Sequence, residues 1–129
     1  MSTIINVIQS FSDLLFATSV AETEVLGAEE RLGLRFSPEY TEYVMEFGAA
    51  MGHGHELTGV LNSERLNVVS ATIREREINV QIPKNLYVIE NPGINGIIIW
   101  QDAEGKVYET SPHSAPKVIA GSLAEYLKS

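Results

Sequence analysis

The chain has 129 residues, of which 44% are hydrophobic and 20% are charged. This length suits one globular domain, which we place over residues 1–129 and which buries about two thirds of the surface of its unfolded chain. Seventeen acidic and nine basic residues give a formal net charge of −8, and this disfavours direct nucleic-acid binding because phosphate recognition needs clustered lysine and arginine. Apolar runs such as 97–100 are far shorter than the roughly 20 residues of a membrane-spanning helix, so we predict no membrane contact.

The chain has no cysteine, which excludes disulfides, thiolate metal sites and cysteine nucleophiles. Residues 1–6 contain neither the basic start nor the apolar segment of a signal peptide. Both observations favour a cytoplasmic protein.

Three helices are predicted in the first part of the chain. The first covers Thr3 to Ala17, with Ser2 or Thr3 as its cap, and the second covers about Ala21 to Leu32 and ends at Gly33. Apolar residues at helical spacing mark their inward faces: Ile4, Val7 or Ile8, Phe11 and Leu15 in the first helix, and Val25, Ala28 and Leu32 in the second.

The third helix has the clearest signals. Ser37 is a good N-cap, Pro38 suits the first helical position, and Gly48 ends the helix. Its inward face carries Tyr40, Tyr43, Val44 and Phe47.

Strands are predicted mainly in the second half. After a loop of small residues at 49–54, we expect a short strand at 56–61, a polar helix at 68–78, strands at 86–90, 97–100 and 106–109, and a last short helix at 122–127. Helices followed by an antiparallel sheet indicate an α+β fold rather than alternating βαβ units. We predict N-terminal helices packed on a mainly antiparallel sheet of about four to six strands, with a short C-terminal helix.

Candidate catalytic and metal-binding residues are few. Two histidines in His53-Gly54-His55-Glu56 would point the same way on a strand, but a zinc site needs about three or four ligands and the remaining histidine, His113, is distant in sequence. We favour an exposed loop there. Glu90 and Asp102 lie at strand ends beside turns, and turn chemistry accounts for both. The sequence has no nucleophile-elbow, phosphate-loop or dinucleotide motif, so we predict no catalytic, cofactor or metal site.

The third helix carries a line of acids on its other face. Glu39, Glu42 and Glu46 are spaced i, i+3 and i+7 and are expected to be solvent-exposed. Residues 1–52 hold eight acids and two bases, a net charge of −6, whereas residues 53–129 hold nine acids and seven bases, a net charge of −2. A patch of one sign attracts a basic partner, although glutamates also simply solvate helices.

The chain resembles the SUKH superfamily, which includes fungal cell-wall assembly regulators and many bacterial immunity proteins. The resemblance spans most of the chain from about residue 20 and rests on these motifs: Glu29-x-x-Leu32-Gly33-Leu34-x-Phe36-x-Pro38-Glu39-Tyr40, Phe47-Gly48, Asn67-Val68-Val69 with Thr72 and Arg76, Tyr87-Val88-Ile89-Glu90, Gly105-x-Val107-Tyr108 and Ser122-Leu123-x-Glu125-Tyr126-Leu127. The family more often has leucine before the proline than Phe36-Ser37.

The resemblance implies a non-enzymatic binding domain without catalytic residues. Bacterial members typically neutralise a secreted toxin, often a nuclease, inside the producing cell, whereas fungal members act as regulatory scaffolds. We therefore expect an immunity protein, favoured as a monomer, that binds a basic cognate toxin through Glu39, Glu42 and Glu46 together with Glu22 and Glu24. The alternative is an intracellular scaffold module of the same fold.

Overall fold

The computed structural model describes residues 3–112 and 114–129. It has five helices and seven strands in this part of the chain: α1 (Thr3–Gln9), β1 (Leu15–Phe16), α2 (Glu22–Leu32), α3 (Pro38–Phe47), β2 (Ala50–Gly52), β3 (His55–Glu56), α4 (Val68–Ile78), β4 (Tyr87–Glu90), β5 (Ile98–Gln101), β6 (Val107–Thr110), β7 (Lys117–Ala120) and α5 (Leu123–Lys128). This order confirms the predicted α+β fold and the short C-terminal helix.

The strands lie in two antiparallel sheets rather than one. The smaller sheet has the order β1-β2-β3 and the larger has the order β4-β5-β6-β7. Strand β7 was not predicted from the sequence. A bridge between Leu57 and Glu90 and a 2.9 Å hydrogen bond from Thr58 N to Ile89 O connect the segment after β3 to the outer edge of β4.

The predicted ends of α2, α3 and α4 are confirmed. Gly33 ends α2 with a left-handed φ of 68°, and the Ser37 hydroxyl accepts the N–H of Tyr40 at 2.9 Å at the start of α3. The Asn67 side chain accepts the N–H of Val69 at 2.9 Å and so caps α4. These ends depend on short-range chemistry, which explains why the sequence predicts them.

The prediction for the first helix is wrong beyond Gln9. The Ser10 hydroxyl donates a 2.6 Å hydrogen bond to the carbonyl of Val7, and this bond closes the last turn of α1. The chain then leads into β1, whose Leu15 is 64% exposed rather than inward. Ser2, one of the two proposed caps, lies outside the described residues.

The predicted loop at 49–54 is also wrong, because it contains β2. Strands β2 and β3 form a tight hairpin in which Gly52 faces His55. The two residues of its turn, His53 and Gly54, have positive φ values of 51° and 79°, as turns of this kind require. Strand β3 ends at Glu56, so the strand predicted over 56–61 is much shorter than expected.

The main core lies where α3 meets the other helices and the larger sheet. Tyr40, Tyr43 and Tyr87 are fully buried, and the rings of Tyr40 and Tyr87 lie 5.0 Å apart. Each buried hydroxyl has a partner: Tyr43 donates to the carbonyl of Thr58 at 2.6 Å, for example. Helix α3 is therefore fixed on its inner face, and its outer face is left for other contacts.

None of the helices within residues 3–112 and 114–129 has the length and apolar character of a membrane-spanning segment.

Candidate partner-binding site

Glu39, the first of the three predicted glutamates of α3, contacts other parts of the fold. Its Oε1 accepts the N–H of Leu123 at 2.7 Å and the side-chain amide of Gln101 at 3.0 Å, and its Oε2 accepts the N–H of Ala124 at 2.9 Å. The carboxylate therefore caps the first turn of α5, where free N–H groups and the helix dipole favour an anion. The expectation that Glu39 is solvent-exposed is wrong, because these bonds leave it partly buried.

Glu42 and Glu46 are exposed, as expected. In the described part of the chain neither carboxylate has a hydrogen bond or ion pair. Helix α3 therefore presents two free carboxylates one turn apart on its outer face.

Glu22 and Glu24 are exposed in the first turn of α2. The N–H of Val20 donates to the carbonyl of Met45 at 3.3 Å, so the start of α2 lies beside the last turn of α3. The structure thus brings the acidic start of α2 to the end of α3 that carries Glu46. We call the four exposed residues Glu22, Glu24, Glu42 and Glu46 the acidic face.

Basic residues are scarce in the stretches of sequence that carry this face. Residues 1–30 and 36–64 contain no lysine or arginine, and Arg31 and Arg35 follow at the other end of α2. Arg65 pairs with both carboxylate oxygens of Glu56, with Nη2 at 3.0 Å from Oε2. This hydrogen bond and the charge of Arg65 lower the pKa of Glu56. Arg65 therefore neutralises Glu56, which is not part of the acidic face, and the acidic face keeps its negative charge.

A second polar cluster, centred on Glu90, was missed in the sequence. Glu90 is 4% exposed, and its carboxylate accepts hydrogen bonds from Tyr126 Oη at 2.6 Å, from Glu56 N at 2.8 Å and from His55 Nδ1 at 3.0 Å. The prediction that turn chemistry accounts for Glu90 is therefore wrong. Turn chemistry does account for Asp102, whose Oδ1 accepts the N–H groups of Glu104 and Lys106.

One sequence signal marks Glu90 as unusual, because it directly follows the apolar run Tyr87-Val88-Ile89. In the structure every residue of this strand is buried. A carboxylate inside such a strand must find hydrogen-bond donors. The sequence gives no indication of which residues supply them.

The two neighbouring histidines do not form a metal site with other described residues. The ring of His53 stacks on Phe11 at 5.5 Å, whereas His55 turns toward Glu90, and the two rings lie 6.5 Å apart. Within residues 3–112 and 114–129 no group of three histidine, aspartate or glutamate side chains could hold a metal ion. His113 lies outside the described residues.

A cleft with a volume of about 440 Å³ lies between the end of α4 and the loops around residues 93 and 111. Among the described residues that line it, the titratable side chain is Glu75, whose carboxylate lies 3.6 Å from Arg74 Nε. Acid–base catalysis generally uses an acid and a base that converge on a substrate. Among the described residues of this lining, Glu75 has no second titratable side chain beside it.

Comparison with models of protein families identifies the family of this chain. The SUKH_5 family model, described as SMI1-KNR4 cell-wall, matches residues 1–129. The chain therefore belongs to the SUKH superfamily, which confirms the resemblance noted in its motifs. A comparison with curated proteins finds no match.

Proposed function

We propose that this protein is a non-enzymatic immunity protein that acts in the cytoplasm. It would form a single domain and neutralise a cognate secreted toxin by binding it through the acidic face. The observation that carries the proposal is the group of exposed carboxylates at the start of α2 and along α3, which lie in two stretches of sequence, 1–30 and 36–64, without lysine or arginine. Membership of the SUKH superfamily supports a role in protein binding.

The charge of the acidic face determines what kind of partner suits it. A nuclease toxin has a basic cleft for phosphates, and carboxylates of an inhibitor can occupy such a cleft in place of the phosphates. Opposite charges also speed the encounter and exclude partners of the wrong charge. We therefore expect a basic toxin, and a nuclease is the kind that best fits this charge.

The proposed contact set differs in one residue from the set taken from the sequence. Glu42 and Glu46, with Glu22 and Glu24, remain the proposed contacts. The sequence predicts Glu39 as a contact too, but its oxygens already accept three hydrogen bonds within the fold. We propose that Glu39 supports the surface by holding α5 against α3.

A regulatory scaffold of the same fold is the second candidate function. The family description refers to the cell wall, and fungal members of the superfamily act as scaffolds. The two functions differ in their genomic setting: a gene for a large secreted protein with a variable C-terminal toxin domain, next to this gene, would favour immunity.

Co-expression with the toxin encoded by the neighbouring gene tests the proposal. We expect cells to survive and the two proteins to co-purify. E42Q/E46Q should slow association and weaken its dependence on salt, because steering by the acidic face is lost. The control E77Q/E104Q removes the same charge from exposed positions elsewhere and should leave association unchanged. Cell death without a complex, with both proteins folded, would contradict the immunity function. Equal association rates for the two variants would contradict the proposal that the acidic face is the contact surface.

A further inference from the structure

An apolar groove lies on the smaller sheet, next to the acidic face. It has a volume of about 250 Å³ and lies between strands β1 and β2 and the segment that follows β3. Its lining is almost entirely aliphatic or aromatic, apart from Glu56: Leu15, Phe16, Ala17, Ala49, Ala50, Met51, Leu57, Leu61 and Leu66.

Two large side chains of this groove are exposed to solvent. Leu15 is 64% exposed and Phe16 is 59% exposed, although they form a strand at the edge of the sheet. Phe16 packs edge-on against Phe47 of α3, with ring centroids 5.4 Å apart. An exposed apolar edge of this kind is a surface that proteins usually cover or use for binding.

Three acidic residues lie two or three positions away in sequence from residues that line the groove. Asp13 precedes β1 and is held against the hairpin turn by a 2.9 Å hydrogen bond from His53 N. Glu46 precedes Phe47 in α3, and Glu64 precedes Arg65. The charge of Arg65 is neutralised by its ion pair with Glu56. We call Asp13, Glu46 and Glu64 the rim, which is negative, whereas the lining is apolar apart from Glu56.

We propose that this groove receives a large apolar side chain of a basic protein partner. Lysine or arginine residues on either side of that side chain would meet the rim formed by Asp13, Glu46 and Glu64. Interfaces commonly bind in this way, with an apolar anchor in a pocket and charged residues around it. This inference rests on the proposed function for the partner's basic charge, and it adds the contact that holds the partner in place.

The charge of the rim also argues against a second copy of the chain as the occupant. In a symmetric dimer the same patch meets itself, so the three acids of the rim would face three acids of the other copy. Such contacts between like charges are unfavourable. A basic partner meets no such repulsion.

The test compares two single substitutions in the full chain. L15S removes an exposed side chain from the groove, and I94S removes one of similar size and exposure, 59%, from a loop far along the chain. Leu15 is preferred over Phe16 because no ring contact is lost, and far-ultraviolet circular dichroism with thermal unfolding would verify that both variants fold. Binding to the neighbouring toxin is measured by surface plasmon resonance.

We expect L15S to bind about tenfold or more weakly, through faster dissociation, because loss of a buried anchor costs at least that much. I94S should bind like the unmodified protein. If L15S also binds like the unmodified protein, the groove is not part of the interface, and the inference is wrong while the proposed function stands.

Absence of toxin binding by the unmodified protein would instead contradict the proposed function. In that case a defined probe tests whether the groove binds an apolar side chain flanked by basic residues. The probe is a synthetic peptide with one tryptophan between lysines, titrated into the labelled protein and followed by amide chemical shifts. Saturable shifts at Leu15, Phe16 and Leu66, absent with L15S and with a peptide carrying glutamate for lysine, would support the groove. Absence of saturable shifts would overturn it, as would a dimer in sedimentation that L15S dissociates.

Discussion

The hydroxyl of Tyr126 donates a 2.6 Å hydrogen bond to the carboxylate of Glu90, which joins the last helix to the first strand of the larger sheet. The same carboxylate accepts from His55 and from the N–H of Glu56 in the hairpin. Burial and the neighbouring Glu90 both raise the pKa of Tyr126, so the phenol remains a donor at neutral pH. One side chain thus connects three elements that are distant in sequence.

We predict that Y126F destabilises the protein by about 1–3 kcal/mol, because a buried carboxylate loses a donor while the ring is kept. The control S129A removes an exposed hydroxyl that donates to the carbonyl of Tyr126 at 2.8 Å and should change stability by less than about 0.5 kcal/mol. Urea unfolding followed by fluorescence measures both. Equal midpoints for Y126F and the unmodified protein would show that the hydrogen bond does not contribute.

Glu39 and Glu42 provide a second matched pair on one helix. E39Q weakens the cap of α5, since an amide carries no charge and has one acceptor oxygen instead of two. We expect it to lower the free energy of unfolding by about 1–2 kcal/mol. E42Q alters an exposed carboxylate without a partner in the described chain and should change stability by less than about 0.5 kcal/mol. Chemical unfolding of the two variants side by side is the measurement, and equal losses would contradict the structural role of Glu39.

The contrast between these two residues indicates how far sequence reasoning reaches. The cap at Ser37 and the end at Gly33 depend on neighbours within a few residues, and both were predicted. The role of Glu39 depends on Leu123, 84 residues away, and that of Glu90 on His55, 35 residues away. Strand β1 likewise forms because Leu15 pairs with Met51, whereas its local pattern resembles a helix. Contacts of this range have no periodic signal in a single sequence.

The tyrosines predict how stability changes in alkaline solution. Burial raises the pKa of all five, Tyr40, Tyr43, Tyr87, Tyr108 and Tyr126, with the aid of neighbouring acids at several positions. A folded-state pKa above the unfolded value of about 10 means that the folded protein favours the neutral phenol. This contribution is complete below about pH 10 and is lost as the pH rises toward the folded-state values.

We therefore expect the free energy of unfolding to fall steeply above about pH 10. Phenolate absorbance should appear together with the loss of circular dichroism, since ionisation of the buried tyrosines requires unfolding. Both signals are recorded in one alkaline titration. Full ionisation of the tyrosines in a protein that retains its circular dichroism would contradict their burial.

Two glycines give opposite predictions for the same substitution. A Cβ at Gly59 would overlap the backbone carbonyl of Gly48 and lie 2.8 Å from Ala49 Cα, where backbone cannot move aside easily. G59A should therefore destabilise the protein by about 1–3 kcal/mol, as overpacking does. Gly27 lies inside α2 with nothing within 4 Å of a Cβ, so G27A should stabilise it by about 0.5–1 kcal/mol through helix propensity. Thermal unfolding distinguishes them: a lower midpoint for G59A and a higher one for G27A are expected, and a raised midpoint for G59A would contradict the close approach of residue 59 to the end of α3.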